Sequence, residues 1–441
     1  MNKLPMRKFK ALLSSTLTAS LLAATAFGQA ASTSTTKKEE LVALEKFEVT
    51  GSRLRPADFE SALPVNSYTA QAIALGTAES VNNFLRFMPS AFGSGNYDES
   101  FVNGGDGRAF IGLRGLPTLT LINGRRSATG DLNLVPMSAV DHIDILKDGN
   151  GAVYGADAVG GVINIVTKKK FEGVSFDASY QNTTKNDISR KRFEMVYGMG
   201  GPKGSVVLGI AFFQQHDLFS RDRNEVTETN DRSFGATSGI PNPGQFNLTA
   251  AQAASLFGAT TSGQYRVKND VVAAASPADF RIGIYGNVPA AQSDRFPYAL
   301  YTPAVRPAKR YNVYSSMDYS IFDKTLKIYA DVFYMRGYSQ AGLAPSPAGF
   351  RAATPVGSAN DFRIPASNYW VQRVFGAARA SDITNWNYRF VDFGPRLIDT
   401  KFDDFALTTG FKGDITERVG YDVSYLWNRN ESLEIERAGV N

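Results

Sequence analysis

"DGNGAVYGADAVGGVINIVTKK", residues 148–169, forces the first decision about the fold. Glycines at 149, 151, 155, 160 and 161 follow the strand-like run His142-Ile143-Asp144-Ile145-Leu146. A dinucleotide site would need strand, glycine turn and helix, with the helix N-terminus facing a pyrophosphate. Gly149, Gly151 and Gly155 give G-x-G-x-x-x-G, one residue off that fingerprint, and the Gly-Lys-Ser/Thr of a P-loop is absent. After Gly160-Gly161 the chain continues VINIVTKK, with β-branched residues at 162, 163, 165, 166 and 167, which favours a strand where a nucleotide fold wants a helix. The glycines therefore read as mechanical, permitting left-handed turns and close packing. Gly104-Gly105-Asp106-Gly107 reads as a plain turn, with a ligand-facing loop as the alternative; one such copy is no calcium-binding repeat.

Upstream of this stretch the chain reads as a compact mixed domain. "TAQAIALG" predicts a helix from a Thr69 cap to Gly76, and "TAESVNNFLRFMP" predicts one from a Thr77 cap to Pro89. Residues 118–122 predict a strand that turns at Asn123-Gly124, a strong hairpin dipeptide. Strands over 142–146 and 161–166 complete the set.

Downstream of about residue 173 the texture changes to long alternating segments. Seven strands are predicted, at 173–182, 191–200, 204–217, 309–320, 325–338, 401–412 and 418–431, each longer than the ~5–6 residues of an ordinary strand. In 325–338, Leu326, Ile328, Ala330, Val332 and Tyr334 alternate with Lys327, Tyr329, Asp331 and Phe333. In the last segment Tyr421, Val423, Tyr425 and Trp427 alternate with Asp422, Ser424, Leu426 and Asn428. One apolar face with aromatics and one polar face suit a membrane barrel, and equally a soluble sandwich.

The connections separate these two readings. They run medium (182–190), tight (200–204), very long (218–308), tight (322–325), long (339–400) and tight (413–417). Long and tight alternate throughout, so every tight turn falls on one rim and every long loop on the other, as in outer-membrane barrels. The first strand then runs outward and everything N-terminal to it lies at the periplasmic end. The long loop 218–308 contains "NLTAAQAASLF", a short helix-like element among Pro, Gly and Asn, and long irregular loops on a rigid scaffold are where an external ligand is first met.

The N-terminus carries an export signal. Lys3, Arg7, Lys8 and Lys10 precede "ALLSSTLTASLLAATAFGQA", a short hydroxyl-rich apolar run ending in small residues, and cleavage fits best after Ala30. Residues 31–44 predict a flexible linker. "EKFEVTGSR", residues 45–53, places Phe47, Val49 and Thr50 as a short extended segment, fit either to add to another protein's sheet edge or to be an ordinary first strand.

Four segments in order carry a resemblance: "EKFEVTGSR" (45–53), "FIGLRGL" (110–116), "TLTLINGRR" (118–126) and "LNLVPMSAVDHIDILKDGNGAVYGADAVGGVINIVTKK" (132–169). Together they resemble the TonB-dependent outer-membrane receptor family. The resemblance implies a membrane β-barrel, here an incomplete N-terminal portion, with an N-terminal mixed α/β plug domain. Residues 45–53 would be the TonB box, with Phe47, Glu48, Val49, Thr50 and Gly51 gripped by TonB of the inner-membrane energising complex through strand pairing. Residues 54–170 would be the plug and 171–441 a partial barrel in outer-membrane lipid, with extracellular loops 218–308 and 339–400. The plug motif positions are Arg114 and Gly115, Asn123 and Gly124, Lys147, Gly149, Tyr154, Gly155, Gly160, Gly161 and Asn164. Lys147 stands where the family often has Arg, so a plug-to-barrel ion pair would start there. The implied function is active uptake of a small scarce ligand such as a metal chelate, cobalamin or a glycan; a non-transporting adhesin or structural barrel with a vestigial plug is the alternative.

Composition bounds the rest. With no Cys and only 2 His, disulfide frameworks and Cys- or His-rich metal sites are excluded, and no cofactor is implied. The net charge of +5 includes those four N-terminal cations, leaving 43 Lys+Arg against 42 Asp+Glu, which does not suggest nucleic-acid binding. No paired carboxylate or Ser/His constellation points to an enzyme. Seven strands fall well short of the ~22 that enclose a plug in outer-membrane transporters, so the chain reads as a fragment or truncated product that does not transport alone, without the extra N-terminal signalling domain of some relatives.

Overall fold

The computed structural model describes residues 65–75, 78, 80–91, 94–96, 107–147, 154–222, 237–271, 273–285, 293–350, 364–383, 385–416 and 419–437. The signal segment, the linker, Phe47 to Gly51 and Gly149 lie outside them.

The first unit is a five-stranded sheet. Its strands are β1 (Val65–Thr69), β2 (Thr118–Ile122), β3 (Arg125–Arg126), β4 (Val140–Leu146) and β5 (Gly161–Thr167), in the spatial order β1-β4-β5-β2-β3. β2 and β5 pair in parallel, Thr118 to Gly161 and Ile122 to Ile165, and the long crossover such a pair needs carries β3, β4 and the glycine stretch. β5 is buried almost without a break and reads as a nearly continuous apolar run, whereas β4 is buried with His142 and Asp144 among its apolar residues. Asn123 and Gly124 both have positive φ, 50° and 76°, which is the twist a two-residue hairpin requires.

Two short helices flank this sheet. α1 (Ala70–Leu75) starts at Thr69, whose Oγ1 accepts the Ala72 N–H at 3.3 Å. α2 (Val81–Arg86) is capped by Ser80, not by Thr77: Ser80 is extended and its Oγ accepts the Asn83 N–H at 3.1 Å. Both Thr77 and Ser80 are good cap residues, and the burial of Val81, Asn82 and Leu85 selects the later start.

The second unit is one antiparallel sheet of seven strands. These are β6 (Gly173–Asn182), β7 (Ser189–Gly201), β8 (Gly204–Gln215), β9 (Ala308–Phe322), β10 (Leu326–Leu343), β11 (Arg396–Asp414) and β12 (Gly420–Arg437), each paired with its chain neighbour. The sheet is open, a part of a barrel wall. β10 and β11 extend beyond the predicted ends because the ladder continues from Ser339–Thr400 to Leu343–Arg396, where polarity alone suggested loop. Among the described residues no helix is long and apolar enough to cross a membrane.

The first unit packs on one face of the wall, and the two share a core. Leu132, Leu134, Ile143 and Ile165 of the plug join Val196, Val207, Phe333, Met335 and Phe402 of the wall in one buried cluster. Along β10, Tyr329, Asp331, Phe333 and Met335 are buried against the plug, while Ile328, Ala330, Val332 and Tyr334 remain half-exposed outside.

The described parts of the long connections hold strands and helices where the sequence reading expected irregular loop. Segments 245–248, 263–267 and 280–282 of one loop and 347–350 and 386–389 around the other form a second five-stranded sheet. It is covered by α3 (Ala250–Phe257) and α4 (Tyr369–Phe375), whose Leu256 and Phe375 meet Leu248 and Tyr265 in a separate core. Thr249 and Gln252 close a reciprocal capping box at the start of α3. That core draws Leu248, Ala253, Leu256 and Tyr265 from one connection and Val371, Phe375, Ala380 and Ile383 from the other.

Candidate functional site

The chemistry of this chain concentrates where the plug meets the wall. The hairpin turn after β2 forms the centre. Asn123 Oδ1 accepts the Thr167 N–H at 2.9 Å, Asn123 Nδ2 donates to Thr167 Oγ1 at 2.9 Å, and the Gly124 N–H donates to Asn164 Oδ1 at 2.8 Å. Three motif residues spread over 41 positions thus lock one turn onto β5, Asn164 being fully buried to do so.

That turn reaches the wall through Asp331. Its carboxylate accepts Asn123 Nδ2 at 3.1 Å, Ser316 Oγ at 2.6 Å and both bonds of Lys169 Nζ at 2.7 Å. Asp331 is buried, and a buried carboxylate persists only when paired and hydrogen-bonded as this one is.

Two further ion pairs tie the units together. Arg108 grips Asp404 by Nε at 3.2 Å and Nη2 at 2.9 Å, a bidentate geometry on a side chain with no exposed surface, and Asn430 adds a bond at 3.1 Å. Arg125 donates to Asp422 at 2.7 Å and to Tyr329 Oη at 3.2 Å, and Tyr329 donates to Asp422 at 2.6 Å. Neutral contacts add to these: the Ser138 N–H donates to Glu194 at 2.7 Å, and Asn312 Nδ2 donates to the Asn133 and Leu134 carbonyls at 2.9 and 3.1 Å.

The Arg-Gly motif and the glycine pair form a second cluster inside the plug. Arg114 and Gly115 both take positive φ, 56° and 73°, in a turn held by Arg114 N–H to the Ser90 carbonyl at 2.8 Å. The Arg114 guanidinium then donates to the carbonyls of Lys147 and, at 3.3 Å, of Gly160. A Cβ on Gly160 would lie 2.7 Å from the Leu116 and Pro117 carbonyls, and one on Gly161, at φ 136°, 2.6 Å from that of Leu146. Gly155 differs: its φ is 86° but a Cβ would meet nothing within 4 Å. Tyr154 gives its carbonyl to Arg126 at 3.1 Å, and Arg126 pairs with Asp157.

Lys147 enters this arrangement through its main chain. The plug-to-wall ion pairs fall to Lys169, Arg108 and Arg125 instead, because the wall carboxylates lie opposite those positions. Reasoning from motifs missed Asp331, Asp404 and Asp422. The available signal was a carboxylate on the inward face of a strand whose other face is apolar, which Asp331 and Asp422 both satisfy.

Two titratable groups of the plug are displaced from their ordinary values. Burial pushes the Asp131 carboxyl up to about 7, against the lowering effect of the Asn133 and Ala109 N–H groups that donate to its Oδ1. Hydrogen bonding to Asp141 and Asp144 raises His142 to about 9. Among the described residues no group of three or more His, Asp or Glu is arranged to hold a metal ion.

Comparison with known proteins agrees with this geometry. Residues 57–162 match the TonB-dependent receptor plug domain family, over the segment that carries the Arg-Gly turn, the Asn-Gly hairpin and the glycine pair. Residues 57–162 are therefore a plug domain of the TonB-dependent receptor kind, set on an open seven-stranded antiparallel sheet. Solved structures that match include the ferric enterobactin receptor (R480A mutant) of Pseudomonas aeruginosa in complex with enterobactin, at 13% identity and TM-score 0.38, covering 85% of this chain and 46% of that one. The siderophore receptor PirA of Acinetobacter baumannii matches at 14% identity and TM-score 0.38, covering 84% and 44%. The ferric preacinetobactin receptor of the same organism matches at 12% and 0.38, covering 85% and 48%. The chain spans a little under half the length of these receptors.

Proposed function

We propose that this chain is part of an outer-membrane receptor for energised uptake. A small ligand such as a metal chelate, cobalamin or a glycan binds the folded loops and the plug top, TonB engages residues 45–53 by strand pairing, and the plug yields. The long-loop rim faces outward, the plug and N-terminus face the periplasm, and the protein acts as a receptor rather than an enzyme.

The observation that carries this reading is a TonB-receptor plug docked on a long antiparallel sheet through three ion pairs, at Asp331, Asp404 and Asp422. Such a contact, with the shared apolar core, holds the plug against the wall at rest. The Asn-Gly hairpin and the glycine pair make the plug a tightly packed body that transmits a pull.

The test is binding of a peptide spanning Glu40 to Arg53 to the periplasmic part of TonB, with Val49→Pro as control. Proline removes a backbone donor from the strand pairing. Absence of binding, or binding indifferent to the proline, sinks the coupling step. Cells that attach to surfaces but take up none of the three ligand classes would favour the adhesin instead.

A further inference from the structure

The plug backbone meets the wall at Gly107. A Cβ on this residue, at φ 85°, would stand 2.3 Å from Ser339 Cβ on β10. The next two residues are both held: Arg108 grips Asp404 of β11, and the Ala109 N–H donates to Asp131 Oδ1 at 3.1 Å. The Asn133 N–H donates to the same oxygen at 2.9 Å, and Asn312 of β9 donates to the carbonyls of Asn133 and Leu134. Asp131 therefore lies in the layer where plug and wall touch, and it is 1% exposed.

Asp331 and Asp404 in the same layer each meet a cation with both oxygens. Asp131 does not. Its Oδ1 takes two neutral N–H groups, and its Oδ2 is buried without a hydrogen-bond partner among the described residues. A carboxyl buried in this way is favoured in its neutral form.

The charged groups that act on it come from two strands of the wall. Arg310 of β9 favours the ionised form, and its guanidinium also lies over the Phe213 ring at 4.1 Å. Asp404 of β11, itself paired with Arg108 of the plug, opposes ionisation. β10 and β12 contribute the neutral Ser339 and Asn430. Burial outweighs these, and the carboxyl titrates at about 7 where 3.8 is ordinary.

We infer that Asp131 keeps a proton while the plug is docked and loses it when this contact opens, so that separating plug from wall is a proton-releasing step. On opening, the carboxyl O–H breaks, its electron pair stays on the oxygen and the proton passes to water. Below 3.8 the group is neutral in both states, and above about 7 it is ionised in both. Between these limits the opening constant rises with pH, by up to about tenfold per unit and about 50-fold from pH 5 to pH 7. Acid therefore holds the plug on the wall, and neutral pH loosens it. The inference deepens the uptake reading above, in which the plug must yield, and its measurement needs no TonB.

The test uses the full chain in neutral detergent. The chain has no Cys, so Ser339→Cys, buried under Gly107, takes a maleimide only when the plug has left it. The same labelling on an Asp131→Asn background cancels the thiol's own pH dependence. The ratio of the two rates rises about 50-fold from pH 5 to pH 7. Ala158→Cys, in an apolar cluster made of plug residues alone, labels far more slowly, because the plug leaves the wall as a folded body. A flat or falling ratio, or labelling at Ala158→Cys as fast as at Ser339→Cys, overturns the inference. If Asp131→Asn does not fold, the carboxyl carbon-13 shift of Asp131 in the unaltered chain decides: a midpoint near 7 supports the inference and one near 3.8 overturns it. The pH slope without TonB binding to residues 45–53 refutes the uptake reading alone, and TonB binding without the slope refutes only the proton step.

Discussion

Asp331→Ala removes the acceptor that joins the plug hairpin to the wall. The carboxylate holds Lys169 Nζ by two bonds at 2.7 Å, Asn123 Nδ2 at 3.1 Å and Ser316 Oγ at 2.6 Å. Breaking a buried ion pair by deleting one partner costs about 3–5 kcal/mol. Lys169 retains 32% of its side-chain exposure and regains water, which sets the loss at the lower end, about 3 kcal/mol. That energy corresponds to roughly a 100-fold change in an opening equilibrium. The assay is amide hydrogen exchange on the full chain, read at Gly124 and Thr167, whose N–H groups are held by Asn164 and Asn123. Protection at those two amides falls about 100-fold while β8 and β9 amides stay unchanged. Lys169→Ala and the double variant close a cycle whose coupling is on the order of 1–3 kcal/mol. Unchanged protection at 124 and 167, or a loss spread evenly over the wall, refutes Asp331 as the local anchor.

Further outcomes follow from the plug's glycines and its displaced titrations. Gly160→Ala and Gly161→Ala drive a methyl into carbonyls 2.6–2.7 Å away and destabilise the plug by about 2–4 kcal/mol, whereas Gly155→Ala, strained only in φ, costs about 1 kcal/mol; urea unfolding ranks them. His142 is raised from 6.5 to about 9, so its protonated form contributes stability that is complete below pH 6.5 and lost as pH rises through 9. A melting series on His142→Gln removes that slope. Asp131 is raised from 3.8 to about 7, so its stabilising neutral form is complete below pH 3.8 and lost as pH rises through 7; Asp131→Asn flattens the melting curve over that interval. Arg108→Lys keeps the charge but not the two-pronged grip on Asp404, and costs about 1–2 kcal/mol in plug unfolding.

The sequence by itself determined the elements whose cause is local. Alternation over 325–338 set the inward and outward faces of β10, Asn123-Gly124 set the hairpin, and the β-branched run after Gly161 set a strand. Tight turns between long strands also set three of the wall's six pairings, β7 with β8, β9 with β10 and β11 with β12, while the pairings across the longer connections are seen only in the structure. The ordered motifs gave the plug. Only the tertiary structure decided which plug cations meet which wall carboxylates. Arg108 and Asp404 are separated by 296 residues and Arg125 and Asp422 by 297, so no spacing rule links them; the register of seven strands does. The same holds for the two long loops, where strands 245–248 and 386–389 pair and Leu256 and Phe375 share one core. Local periodicity fixes which way a side chain points, and long-range register fixes what it meets.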